Sequence, residues 1–151
     1  RFTAGYWEAP DMTAASLSDD GWFRSGDLGL LDEHGWLHFR GRLKELIKTG
    51  GINVSPAEVE EVLLAHPAIA SCFVTGLKDA KLDETVAAVV ILEDGVEVTA
   101  EALQAHCRAQ IAPYKLPRRW CFTTPETLPL TSTGKLQRNR LFELFEDQAA
   151  V

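Results

Sequence analysis

Positive charge is in short supply in this chain of 151 residues: fifteen Lys and Arg stand against twenty-two Asp and Glu, a formal net charge of −7. That balance speaks against non-specific nucleic-acid binding, which needs a basic footprint. Cysteine is scarce as well. Cys72, Cys107 and Cys121 lie far apart, each in an apolar stretch. An odd count without paired spacing argues against a disulfide framework and against a zinc site. The three read instead as small core residues in a reducing compartment, expected to be the cytoplasm. His34, His38, His66 and His106 form no ligand pattern, so no protein-held metal is expected. No apolar run approaches the roughly 18 residues that a membrane-spanning helix needs. The opening residues lack the charged-then-apolar build of a signal peptide and begin without Met, as if the chain were a piece of something longer. Gly-x-Ser-x-Gly, Gly-x-Gly-x-x-Gly, Walker and His-Glu-x-x-His patterns are all missing, so the chain alone is not expected to hydrolyse or reduce a substrate.

What is present suits a packed domain. Hydrophobic residues make up 46% of the chain, enough for a core. Charge is unevenly spread: Lys115, Arg118, Arg119, Lys135, Arg138 and Arg140 form a basic tail on an acidic body. Such a tail is either a solvated surface or a contact for a phosphorylated small molecule.

Periodicity places the elements. Residues 1–27 carry turn formers and aromatics without a clear period. Leu28 to Leu31, a short polar loop from Asp32 to Gly35, and Trp36 to Phe39 predict a β-hairpin. Gly41 to Ile47 reads as a charged connector. Ser55-Pro56-Ala57-Glu58 predicts a helix start closed by a capping box, with Val59, Val62 and Leu63 inward, Glu58, Glu60 and Glu61 largely outward, and Pro67 as the stop. Ile69 to Thr75 and Thr85 to Leu92 predict strands, the second apolar on both faces and therefore central. Thr99 caps a helix carrying Leu103, Cys107 and Ile111. Trp120 to Thr123 reads as a third strand, and a terminal helix is expected from about Gln137 to Phe145. The fold class is α+β: a small sheet of about three strands flanked by helices, preceded by the hairpin.

Three segments carry chemistry. They are Gly21-Trp22-Phe23-Arg24-Ser25-Gly26-Asp27, the run from Gly41-Arg42-Leu43-Lys44 through Thr49-Gly50-Gly51 to Ala57-Glu58, and Pro129-Leu130-Thr131-Ser132-Thr133-Gly134-Lys135. In order and spacing they resemble the late motifs of the adenylate-forming superfamily: acyl-CoA synthetases, aryl-CoA ligases, firefly-type luciferases and peptide-synthetase adenylation domains. The approach Gly5-Tyr6-Trp7 with Pro10 is similar too, so the likeness covers nearly the whole chain. It implies that residues 1–43 end a larger N-terminal, adenylate-binding domain and that residues 44–151 are a mobile C-terminal domain.

The resemblance also implies roles. Asp27, which could otherwise simply close a turn, would accept hydrogen bonds from the ribose hydroxyls of ATP and of the adenylate. Arg42, otherwise a surface charge, would contact the same ribose or a nearby phosphate. Lys44, otherwise a solvated connector residue, would be the hinge. Gly50 and Gly51, otherwise a turn, would let backbone approach the pantetheine arm of CoA. Lys135, otherwise a charge before a helix, would sit on a mobile polar loop and meet the carboxylate and the α-phosphate during adenylation. Two departures stand out: Lys78 where relatives commonly carry proline, and no glycine just before Glu84. They predict an altered loop with intact chemistry.

The implied whole is an AMP-forming carboxylate:CoA ligase using ATP, CoA and Mg²⁺ as the nucleotide complex, the metal held mainly by the N-terminal domain, with a small-molecule carboxylate as substrate. An adenylation domain that loads a carrier protein is a second reading, and the ending Glu146 to Val151 without a carrier domain favours a free-standing ligase. A non-catalytic binding module of the same fold is a third. Keeping Asp27, Arg42 and Lys135 together speaks against it.

Overall fold

The computed structural model describes residues 3–146. The opening Arg1 and Phe2 and the ending from Asp147 to Val151 lie outside the described residues. The chain divides into two compact units, Arg1–Lys44 and Glu45–Val151.

In the first unit a short helix, α1 (Pro10–Ser16), starts on the proline. There the missing N–H costs nothing, because a first-turn amide has no intrahelical partner. Its presence was not legible, since none of its residues is buried and no apolar stripe marks it. The predicted hairpin follows as β1 (Asp27–Leu31) and β2 (Leu37–Arg42), antiparallel, with Asp27 opposite Arg42. The Asp32 carboxylate organises its loop, accepting from the His34 and Trp36 amides at 2.9 Å each and contacting His38 Nε2 at 2.7 Å. Trp36 belongs to that loop rather than to the strand. Among the described residues of this unit only Gly41 is buried.

The expected connector from Gly41 to Ile47 is largely ordered structure. Gly41 and Arg42 end β2, residues Leu43–Glu45 form one 3-10 turn, and Ile47 opens a strand and is buried.

Among its described residues the second unit holds five strands where about three were expected. β3 (Ile47–Thr49) and β4 (Ile52–Val54) make a small hairpin of three residues each, too short for a periodic pattern. β5 (Ile69–Asp79) and β6 (Asp83–Leu92) pair antiparallel along their length. β7 (Arg119–Phe122) pairs parallel with β6, and β3 joins β6 near its start. β6 is central, as its two apolar faces require. Side chains alternate across a strand, so Val86, Ala88 and Val90 enter one cluster while Ala87 and Val89 enter another on the opposite face.

Helices cover the first face. α2 (Pro56–Leu64) contributes Val59 and Leu63, and α3 (Ala100–Arg108) contributes Leu103 and Cys107. The Thr99 hydroxyl caps α3 by accepting from the Ala102 amide at 3.3 Å. The serine half of the expected capping box at α2 does not form, since the Ser55 side chain makes no capping bond, and the Glu58 carboxylate pairs with Lys115. Glu60 is also a correction. It points inward, because Pro56, Val59, Glu60 and Leu63 fall on one stripe at steps of three and four.

Leu141 and Phe145 cover the second face, but not on the one continuous helix expected from about Gln137 to Phe145. The segment is a 3-10 turn (Arg138–Arg140) followed by one turn of helix, α4 (Glu143–Glu146). Gln137 stands before that turn in a non-helical conformation (φ −90°, ψ 82°), its amide donating to Pro129 O at 2.8 Å and its side chain to Leu130 O at 2.9 Å.

Candidate functional site

In the first unit the hairpin register brings Asp27 and Arg42 together, Nε to Oδ1 at 3.2 Å. Both remain partly exposed, so carboxylate lone pairs and guanidinium protons stay open to a ligand. A carboxylate offering two acceptors beside a planar cation fits a vicinal diol and an adjoining anion. Lys44 is exposed within the 3-10 turn and is the last residue before the division between the units.

In the second unit Gly50 and Gly51 are the two loop residues of the β3–β4 hairpin, between the paired Thr49 and Ile52. Both adopt the left-handed backbone, with φ of 56° and 80°, as a type I′ turn demands. The Gly50 amide donates to Leu82 O at 2.9 Å, and a side chain at Gly51 would meet nothing within 4 Å.

Lys135 is exposed on the turn that closes residues 129–137. That turn is extensively bonded rather than loose. Thr131 N donates to Lys135 O at 2.8 Å, Lys135 N donates to the Thr131 hydroxyl at 3.0 Å, and Gly134 N donates to Thr131 O at 2.9 Å. Gly134 has φ of 77°, which lets the turn reverse. Leu130 and Leu136 pair across it. The polar loop expected here is closed from within by its hydroxyl side chains.

Beside this turn lies a contact that the sequence reading did not foresee. Arg138 makes a fork to Glu60, Nη1 to Oε1 at 2.8 Å and Nη2 to Oε2 at 3.0 Å. Glu60 Oε1 also accepts the Val74 amide at 2.7 Å. Glu45 Oε2 approaches Arg138 Nε at 3.7 Å. The Glu60 hydrogen bonds raise the Arg138 guanidinium above its usual value. A carboxylate on the apolar stripe of α2 was the available clue, because a buried charge requires a partner.

The cysteines take no part. Burial pushes the Cys72 thiol up to about 12 and Cys107 to about 11, and it raises Cys121 as well. Among the described residues no group of three or more His, Cys, Asp or Glu could hold a metal ion, and no helix is long and apolar enough to cross a membrane. A groove of about 610 Å³ lined by Gly76, Leu77, Lys78, Arg119 and Phe142 contains none of Asp27, Arg42, Lys44, Gly50, Gly51 and Lys135.

Comparison with known proteins fixes the class. The profile of the AMP-binding enzyme C-terminal domain matches residues 58–135, and the chain belongs to that family. Among its relatives are the medium-chain acyl-CoA ligase ACSF2, mitochondrial, of Danio rerio, 40% identical over 97% of this chain and 24% of its own, and a long-chain-fatty-acid–CoA ligase of Bacillus subtilis (strain 168), 44% identical over 92% and 24%. ATP-bound MatB from Rhodopseudomonas palustris superposes with a TM-score of 0.85 at 36% identity, covering 96% of this chain and 28% of that one. The chain thus spans about a quarter of the length of the curated relatives it matches.

Proposed function

We propose that this chain is the C-terminal segment of an ATP-dependent acyl-CoA synthetase that works through an acyl-adenylate. In the first half-reaction a carboxylate oxygen attacks the α-phosphorus of ATP and pyrophosphate leaves. In the second the CoA thiolate attacks the acyl carbon and AMP leaves. Residues 1–43 would complete an N-terminal adenylate-binding domain that also holds most of the Mg²⁺–nucleotide complex. Residues 44–151 would swing about Lys44.

The observation that carries this reading is Lys135 itself: an exposed ammonium presented by a self-bonded turn, in a chain of the AMP-binding enzyme C-terminal family. An ammonium placed between two anions offsets the repulsion that opposes their meeting. Asp27 and Arg42 form a second constellation, suited to the ribose and its neighbouring phosphate. Gly50 and Gly51 give a turn bare of side chains for the pantetheine arm.

Relatives named for medium-chain, long-chain and sulfoacetate substrates share 38–44% identity with this chain. Similarity so evenly spread over different acids supports an acid-selecting pocket outside these residues. The three buried thiols, with no disulfide among them, support a reducing compartment such as the cytoplasm.

The test is Lys135→Ala in the full-length enzyme. Carboxylate-dependent ATP–pyrophosphate exchange should fall on the order of 10²–10³-fold, the usual cost of one lost transition-state donor. Normal exchange would remove the role assigned to Lys135. Residues 1–151 alone should give no AMP release with CoA and an acid, and turnover by that segment would overturn the reading.

A further inference from the structure

Lys135 can meet two anions only if its turn is held in place, and the structure shows what holds it. The apolar flanks, Leu128 and Leu136, pack against the cluster on the second face of the sheet. The next residue able to anchor the turn is Arg138, whose side chain leaves that face altogether. β5 is an outer strand of the sheet, and Glu60 on α2 accepts its Val74 amide. Arg138 grips the same carboxylate through two parallel N–H bonds. The base of the Lys135 turn is thereby tied, around the edge of β5, to the helix on the first face.

We propose that Arg138 is a positioning residue for Lys135, with Glu60 as its anchor: the fork between them sets where the turn presents its ammonium. This inference rests on the function proposed above and adds a residue to it. The geometry suits the task. A fork of two bonds fixes orientation as well as distance, which one ammonium–carboxylate contact cannot do. The pair is well shielded, Glu60 being only 12% exposed and Arg138 32%, so solvent competes weakly for either partner. Glu60 cannot readily swing away, because it also satisfies Val74. Glu45, beside the Lys44 junction, lies close to the same guanidinium without reaching hydrogen-bond distance, and we give it a minor part.

A positioning role differs from a stabilising one in which half-reaction it touches. Lys135 serves adenylation, whereas thioester formation would use the Gly50 turn. Arg138→Met in the full-length enzyme should therefore slow carboxylate-dependent ATP–pyrophosphate exchange on the order of 10- to 100-fold, as misplacement of a reacting group does. Transfer of a preformed acyl-adenylate to CoA should stay within about twofold, a split that a general loss of folded enzyme cannot produce. Arg138→Lys, which keeps the charge and loses the fork, should fall between. Should Arg138→Met fail to fold, Glu60→Gln serves instead, since its amide oxygen still accepts from Val74 while the charge is gone, and exchange should again fall selectively. Lys135→Ala is the control. If it loses exchange while folded Arg138→Met or Glu60→Gln keeps it, or if the two half-reactions decline together, the inference is wrong and the proposed function stands. If Lys135→Ala itself keeps exchange, both fall.

Discussion

Asp27 and Arg42 stand opposite each other on the first rung of the β1–β2 hairpin and share an ion pair of 3.2 Å. Two residues singled out for one nucleotide are thus each other's partner across the hairpin. Exposed pairs of this kind add little stability, about 0–1 kcal/mol. Asp27→Asn in the full-length enzyme should therefore leave the melting temperature nearly unchanged. It should raise KM for ATP on the order of 10-fold or more, the scale of a lost charge-assisted hydrogen bond. An unchanged KM, or a loss of activity that tracks melting, would show the pair to be structural.

Lys44 sits exposed in a single 3-10 turn between the two units. Proline there would lock φ near −65° and remove the amide proton. If residues 44–151 swing about Lys44 between the two half-reactions, Lys44→Pro should spare adenylation and impair thioester formation. Separate assays of pyrophosphate exchange and acyl transfer decide the matter, and equal loss in both would discredit a hinge at this residue.

The Gly50-Gly51 turn allows a substitution that keeps the backbone while adding a side chain. Asn-Gly is a favoured pair for a type I′ turn, since asparagine tolerates positive φ. Gly50→Asn should therefore melt like the parent. A Cβ at this position would meet Leu82 at 3.6 Å, an ordinary contact. If the turn must lie against the pantetheine arm, the same variant should raise KM for CoA or slow acyl transfer roughly tenfold, a loss of about 1.4 kcal/mol, with exchange intact. Parent-like transfer would leave the two glycines with a purely local duty.

The buried thiols predict how the protein responds to pH and to alkylation. Cys72 is raised to about 12 and Cys107 to about 11 from an ordinary 9.0, chiefly by burial, with the Glu60 charge adding at Cys72. In the native state these groups hold their protons over a range in which the unfolded chain releases them. Their contribution is fully present below pH 9.0 and is lost progressively as pH rises from there toward 12. Melting temperature should accordingly drop with rising alkaline pH. Near neutrality iodoacetamide should modify all three cysteines only on the unfolding timescale. Rapid labelling of the folded protein would contradict the core placement.

Several local features were legible because local chemistry dictates them. The Thr99 cap bonds within its own first turn, and the central place of β6 follows from apolar residues on both of its faces. The β1–β2 hairpin follows from a loop rich in turn formers. α1 was missed because it buries nothing, and β3 and β4 because three residues are too few to display a period. The capping box was the informative error. Ser55 and Glu58 have the right identities and spacing, yet the Ser55 side chain makes no capping bond, and Glu58 pairs with Lys115, fifty-seven residues along the chain.

By itself the sequence determined the α+β character, the central strand, and the order and spacing of the segments bearing Asp27, Arg42, Lys44, Gly50, Gly51 and Lys135, because composition, period and turn chemistry act over a few neighbouring residues. Tertiary structure alone decided that Glu60 turns inward, that Arg138 meets it across seventy-eight residues, and that the base of the Lys135 turn is thereby tied to α2. The reason is physical. A carboxylate on an apolar stripe is costly to bury until a partner arrives, and only the folding of the sheet brings that partner within reach.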